Sequence, residues 1–213
     1  MNDDIDAVAA AQPGAVTRRA EVRDPGEGDV YVAATLSQVY RTDVADLWQA
    51  VTDPSRLARW FGEVTGDLAL GGRFDLAGYT AGTILECEPP RRYRTTWEHD
   101  GSTSHVEVVV EREGDGARLT LTHSGENARD FYEQFGVSAT GLGWDLGLFG
   151  LAASLTADWI KPDDEDPFFV SPLIRTLLTS AARDWAEASI ATGVPEERAR
   201  AQSERSARFF TEG

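Results

Sequence analysis

The sequence predicts an α+β protein in which a curved antiparallel β-sheet wraps one long, buried helix. Three observations carry this prediction. Residues 137–155, VSATGLGWDLGLFGLAASL, are apolar nearly all round when set at about 100° per residue, and such a helix is buried. From Val64 to His123 short segments alternate apolar and polar side chains, as strands with one dry face do. Tight-turn words separate them, namely Gly71-Gly72, Pro89-Pro90, Asp100-Gly101 and Gly114-Asp115-Gly116, and strands joined by tight turns pair antiparallel.

Residues 1–16 are rich in Ala and Asp without periodicity, which predicts a flexible N-terminus. Thr17–Arg23 reads as a short strand, Pro25-Gly26-Glu27-Gly28 as a turn, and Val30–Arg41 as a second strand. Thr42 or Asp43 can cap a helix whose Val44, Leu47, Trp48 and Val51 share one face. Asp53 then caps a short helix with Pro54 at its first position, carrying Leu57, Trp60 and Phe61.

Further strands are predicted at Val64–Leu70, Arg73–Ala77, Gly82–Glu88, Arg92–His99, Ser104–Arg112 and Ala117–His123. Alternation assigns their inner face to Phe74 and Leu76; Leu85 and Cys87; Tyr93, Thr95 and Trp97; Val106, Val108 and Val110; and Leu119, Leu121 and His123. Arg92, Arg94, Glu107, Glu111 and Arg118 fall on the wet face.

On the long helix, Leu142, Leu146, Phe149 and Ala153 form one apolar stripe, and Trp144, Leu148, Leu151 and Leu155 another. Gly143, Gly147, Gly150 and Ser154 lie between them. Glycine inside a helix costs about 1 kcal/mol relative to alanine, so small size is required there, for close packing or for room beside a cavity. Asp145 and Thr156 are expected at a wet edge.

Beyond it, residues 161–213 predict a loop containing Asp163-Asp164-Glu165-Asp166 and a C-terminal helical extension. Ser171-Pro172 opens a helix with Leu173, Leu177, Ala181 and Trp185 on one face, and Pro195 starts another ending in Phe209 and Phe210. The first stripe is expected to pack on the domain or on a second copy, so a homodimer is one expected assembly.

A length of 213 residues suits one domain with extensions. The net charge of −16 argues against nucleic acid and anionic membrane as partners. The apolar run of the long helix is short for a membrane span and contains Asp145. Cys87 is the single cysteine, which excludes an intrachain disulfide, and the acidic N-terminus lacks a signal pattern. A cytoplasmic protein is expected.

A set of short words, in order, sharpens the reading. They are Val44-Ala45-Asp46-Leu47-Trp48, Thr52-Asp53-Pro54, Trp60-Phe61-Gly62, Gly66-Asp67-Leu68 and Gly71-Gly72-Arg73-Phe74. Gly82-Thr83-Ile84-Leu85-Glu86, Pro89-Pro90-Arg91-Arg92-Tyr93, Thr96-Trp97, residues 117–123 and Gly143-Trp144 follow. Over about residues 30–160 the chain thereby resembles the START-like (SRPBCC) superfamily, which includes the birch-pollen allergen fold. The words are most similar to the branch of heat-shock protein 90 ATPase activators. The resemblance implies a helix-grip domain, assigned to residues 17–160, with an apolar cavity between sheet and helix. The helices after Ser171 extend past the usual end of such domains.

No nucleophile elbow, His-Glu-x-x-His, phosphate loop or dinucleotide fingerprint occurs, and no cofactor is expected. The Asp100-Gly101 turn could bring His99 and His105 together, but no third ligand completes a metal site. His123 is either satisfied by backbone at a strand end or a polar contact for a ligand. The expected ligand-binding residues are Phe74, Tyr79, Leu85, Tyr93, Trp97, Val108, Leu121, His123, Trp144 and Phe149. The leading expectation is a binding protein for an apolar or aromatic small molecule. The alternatives are a cyclase- or dehydratase-type enzyme using His123 as an acid–base group, and a co-chaperone contacting the heat-shock protein 90 ATPase.

Overall fold

Alternating side chains and turn chemistry decide the sheet. In the computed structural model, which describes residues 3–162 and 166–212, eight strands form it. They are β1 (Thr17–Arg23), β2 (Val30–Tyr40), β3 (Val64–Gly66), β4 (Arg73–Leu76), β5 (Thr80–Glu88), β6 (Arg92–His99), β7 (Ser102–Glu113) and β8 (Gly116–Asn127). Their order is β1-β2-β8-β7-β6-β5-β4-β3, with every neighbouring pair antiparallel. Asp100 and Gly101 turn β6 into β7 with φ of 46° and 76°, the left-handed pair that a two-residue hairpin demands.

The helices are α1 (Asp3–Ala15), α2 (Val44–Ala50), α3 (Pro54–Trp60), α4 (Arg129–Phe135), α5 (Ser138–Thr156), α6 (Asp166–Phe169), α7 (Pro172–Ile190) and α8 (Glu196–Glu212). Asp43 caps α2 by accepting from the Asp46 amide at 2.8 Å, and Asp53 caps α3 by accepting from the Ser55 and Arg56 amides. The sheet and α5 share one core, with Leu142, Leu148, Phe149 and Leu151 of α5 buried. This is the α+β helix-grip arrangement, extended by C-terminal helices. Among the described residues no helix is long and apolar enough to cross a membrane.

Three findings depart from the expectations. The N-terminal segment, expected to be loose, is the helix α1. Ile5, Ala9 and Gln12 are its buried positions, and Gln12 exchanges amide hydrogen bonds of 2.9 and 3.1 Å with Gln38 of β2. A stripe built from one Ile, one Ala and a Gln carries little hydrophobic signal, so this helix depends on its tertiary partner.

Asp145, expected at a wet edge, is fully buried. It accepts hydrogen bonds from Arg18 Nη2 at 2.7 Å and from Trp185 Nε1 at 2.8 Å. Arg18, on β1, also donates to the Pro13 and Val16 carbonyls and to Asp184 at 2.8 Å. The reason is α7, which lies across β1 and α5 and covers that side. Its stripe of Leu177, Ala181 and Trp185 is thereby buried within the chain itself, with Leu173 packed at its margin.

The third departure is in β5, where the pairing register with β6 shifts between Ile84 and Glu86. The irregularity breaks the alternation, so that Ile84 faces inward before it and Cys87 after it. Ile84 is therefore buried, and Leu85, expected inside, points out and is 40% exposed. The acidic stretch Asp163-Asp164-Glu165 lies outside the described residues.

Candidate functional site

The concave face of the sheet does not close fully on α2, α3 and α5. A cavity of about 210 Å³ remains between them. Tyr93, Thr95 and Trp97 of β6 form one wall, continued by Val106 and Val108 of β7 and Leu119 and Leu121 of β8. Phe74, Ile84 and Cys87 close the side toward β4 and β5, while Trp144 and Leu148 of α5 face them. Trp48, Leu57, Trp60 and the adjoining Phe61 complete the enclosure from α2 and α3. Phe61 stacks on Trp144 with ring centroids 5.7 Å apart, and Trp97 meets Trp144 at 5.4 Å. Among the described residues no charged side chain lines this space.

Of the expected ligand-binding residues, Phe74, Tyr93, Trp97, Val108, Leu121 and Trp144 line the cavity together. Tyr79 does not: it is 61% exposed on the turn before β5, its ring against His99 at 4.9 Å. Leu85 is turned outward by the β5 bulge. Phe149 is buried on another side of α5, packed with Trp159 at 5.9 Å and Phe168 at 6.1 Å. Helix α5 thus packs within one core on more than one side, and of its residues only Trp144 and Leu148 line the cavity.

His123 does not line the cavity; its ring lies 5.7 Å from that of Trp97 and 6.0 Å from that of Trp144, and it is tied into the protein by side chains. Trp144 Nε1 donates to its Nδ1 at 2.9 Å, and Ser104 Oγ is 2.7 Å from its Nε2. Because Nδ1 accepts, the neutral ring carries its proton on Nε2 and donates to Ser104, which in turn donates to the Trp97 carbonyl at 3.2 Å. Burial, with a smaller contribution from His105, lowers its pKa to about 4. Both ring nitrogens are occupied, so His123 orients Trp144. It does not present a free polar group to the cavity.

Two hydroxyls along the cavity, both on β6, are unspent. Thr95 is 6% exposed, and neither its hydroxyl nor that of Tyr93 has a hydrogen-bond partner among the described residues. Burial pushes the Tyr93 phenol well above its ordinary range. Thr95 was legible as an inner-face position between Tyr93 and Trp97, and its small size gave no sign of a role. Trp60 and Phe61 were legible only as core, because their approach to Trp144 is set by the docking of α3.

The glycine stripe is not the cavity wall. A Cβ on Gly150 would lie 2.9 Å from the Trp60 carbonyl, so this glycine permits close packing of α3 on α5. A Cβ on Gly147 would meet only the rims of Trp144 and Trp60 at 3.7 and 3.8 Å, ordinary contact distances. The tightest approach is at Gly141, where a Cβ would fall 2.2 Å from the Trp185 ring.

His99 and His105 are not brought together: His99 pairs with Ser102 and its Nδ1 lies 2.7 Å from the Tyr79 carbonyl, while His105 faces Thr96. Among the described residues no group of three or more His, Cys, Asp or Glu side chains could hold a metal ion.

Comparison with known proteins agrees with this architecture. The family described as Activator of Hsp90 ATPase homolog 1-like protein matches residues 41–155. The crystal structure of CalU16 from Micromonospora echinospora is 32% identical, covering 82% of this chain and 98% of that one, with a TM-score of 0.62. DynU16, from the dynemicin biosynthetic locus, shares the fold at 24% identity over 60% of this chain and 48% of its own, with a TM-score of 0.52. The heat-shock protein 90 activator PFC0360w from Plasmodium falciparum does so at 22% identity over 61% and 99%, with a TM-score of 0.51. No curated protein matches the sequence. The chain belongs to the family of Activator of Hsp90 ATPase homolog 1-like proteins, within the START-like (SRPBCC) superfamily.

Proposed function

We propose that this protein binds a small apolar or aromatic molecule in the cavity beneath its sheet. One observation carries the reading: about 210 Å³ of space bounded almost wholly by apolar and aromatic side chains. Protein interiors are packed to crystal density and hold few voids larger than a water molecule, so a space of this size is not ordinary packing. An engineered apolar cavity of about 150 Å³ stays dry and takes up benzene. The volume here fits one substituted ring or two fused rings, and lies below the roughly 300–1,000 Å³ of drug-sized sites.

The enzyme reading needs a proton-transfer group facing the ligand. His123 is the residue proposed for that role, and its engagement with Trp144 and Ser104 weighs against it. The co-chaperone reading rests on the family's description and on fold likeness, and among the described residues no surface singles it out.

Trp48, Trp60, Trp97 and Trp144 surround the cavity, so intrinsic fluorescence reports occupancy directly. Native mass spectrometry of the purified chain is expected to show a small non-covalent adduct, or to show uptake of an added aromatic probe. Val108→Trp, which fills the space, is expected to abolish both. A folded wild-type protein that takes up no aromatic probe at all would count decisively against the proposal.

A further inference from the structure

The polar groups of the cavity narrow the ligand's chemistry further, an inference that rests on the binding function proposed above. Three of the polar side chains along its wall are already used. The Thr52 hydroxyl donates to the Trp48 carbonyl at 2.7 Å, Trp60 Nε1 to the Ala50 carbonyl at 3.0 Å, and Trp144 Nε1 to His123. The Trp48 and Trp97 indole N–H groups and the Cys87 thiol have no partner among the described residues either, but of the unpartnered groups only the hydroxyls of Tyr93 and Thr95 both donate and accept strongly. They stand two residues apart on one face of β6, in the middle of the sheet, opposite Val108 and Val106 of β7. Both residues line the cavity, and neither hydroxyl has a hydrogen-bond partner among the described residues. Buried polar groups are nearly always hydrogen-bonded, so a pair left free in an otherwise apolar space marks where a ligand or ordered solvent completes the set.

We infer that the ligand is a neutral, flat aromatic molecule bearing a hydroxyl or carbonyl oxygen, which Tyr93 and Thr95 recognise. The flat shape follows from walls made of Trp97, Trp144, Trp60 and Phe61. Neutrality follows from the lining: an ionised ligand would leave its hydration shell with no opposite charge to meet it, at large cost. Each hydroxyl can donate or accept, so both a phenol and an aryl ketone satisfy them.

Three probes of one shape separate the contributions at neutral pH: naphthalene, 2-naphthol and 2-naphthoate, titrated by calorimetry into wild type, Tyr93→Phe and Thr95→Val. In wild type, 2-naphthol is expected to bind about five- to tenfold tighter than naphthalene, the worth of one hydrogen bond, and 2-naphthoate weakest of the three. Tyr93→Phe and Thr95→Val are each expected to reduce that advantage. Naphthalene binding is retained or tightens in both, since each substitution makes the wall more apolar, and this also certifies an intact cavity. Equal binding of naphthalene and 2-naphthol, an advantage unaffected by either substitution, or tightest binding of 2-naphthoate overturns the inference while leaving the cavity's binding role standing. Failure of all three probes to bind wild type removes that role and this inference together.

Discussion

Acidification tests the arrangement around His123, because protonating Nδ1 destroys the hydrogen bond it accepts from Trp144. The folded-state pKa is about 4, against an ordinary value of 6.5. A histidine with a depressed pKa contributes stability that is fully present above the unfolded value and is lost as pH falls toward the folded one. Between pH 6.5 and 4 the unfolded chain binds the proton and the native chain does not, so stability falls with pH. At 1.36 kcal/mol per unit, that window corresponds to about 3 kcal/mol. The assay is urea unfolding followed by tryptophan fluorescence at a series of pH values from 7 to 4. The comparison is with His123→Gln, whose amide can accept from Trp144 and donate to Ser104 but cannot titrate. Other titrating groups cancel in the difference between the two proteins. Wild type should lose about 3 kcal/mol more than the variant across the window, and a direct NMR titration should find the imidazole neutral at pH 5. If the two proteins lose stability in parallel, the imidazole is not held neutral by its burial and the reasoning fails.

Asp145→Ala should cost about 3–5 kcal/mol in chemical denaturation, because it strands the buried Arg18 guanidinium and the Trp185 N–H. A protein that loses less than about 1 kcal/mol would mean that Arg18 has reached solvent. Gly141→Ala should cost about 1–3 kcal/mol through collision with the Trp185 ring, whereas Gly147→Ala should be neutral or stabilise by up to about 1 kcal/mol. Thermal melts of the two variants should move in opposite directions. Leu148→Ala, at a fully buried position on the cavity side of α5, should cost about 2–5 kcal/mol and enlarge the binding space, measurable as altered probe affinity.

Much of the fold was legible locally, for reasons that are themselves local. The strands Thr17–Arg23 and Arg92–His99 begin and end where turn residues and alternation place them. Asp43 and Asp53 cap α2 and α3 because a carboxylate at that position satisfies free amides whatever lies nearby. Burial of the long helix needed only its composition. Which of its sides met which neighbour did not follow, since a helix apolar all round has no periodicity to orient it. Trp144 and Leu148 face the cavity while Phe149 joins the Trp159 and Phe168 cluster, and the packed sheet and loop make that choice. On β5 Cys87 faces inward as expected but Leu85 does not, because the bulge puts Ile84 on the inner face ahead of it, and a bulge leaves no mark in the alternation of a single strand. Asp145 looks like a solvent contact until α7 and β1, distant in sequence, bring Trp185 and Arg18 to it. Composition and alternation thus determined most of the elements and most of the dry face, because they act over a few residues, while α1 and α4 escaped them. The tertiary structure alone decided the partners of Asp145 and His123, and the space left between sheet and helix, because these depend on groups that only the folded chain brings together.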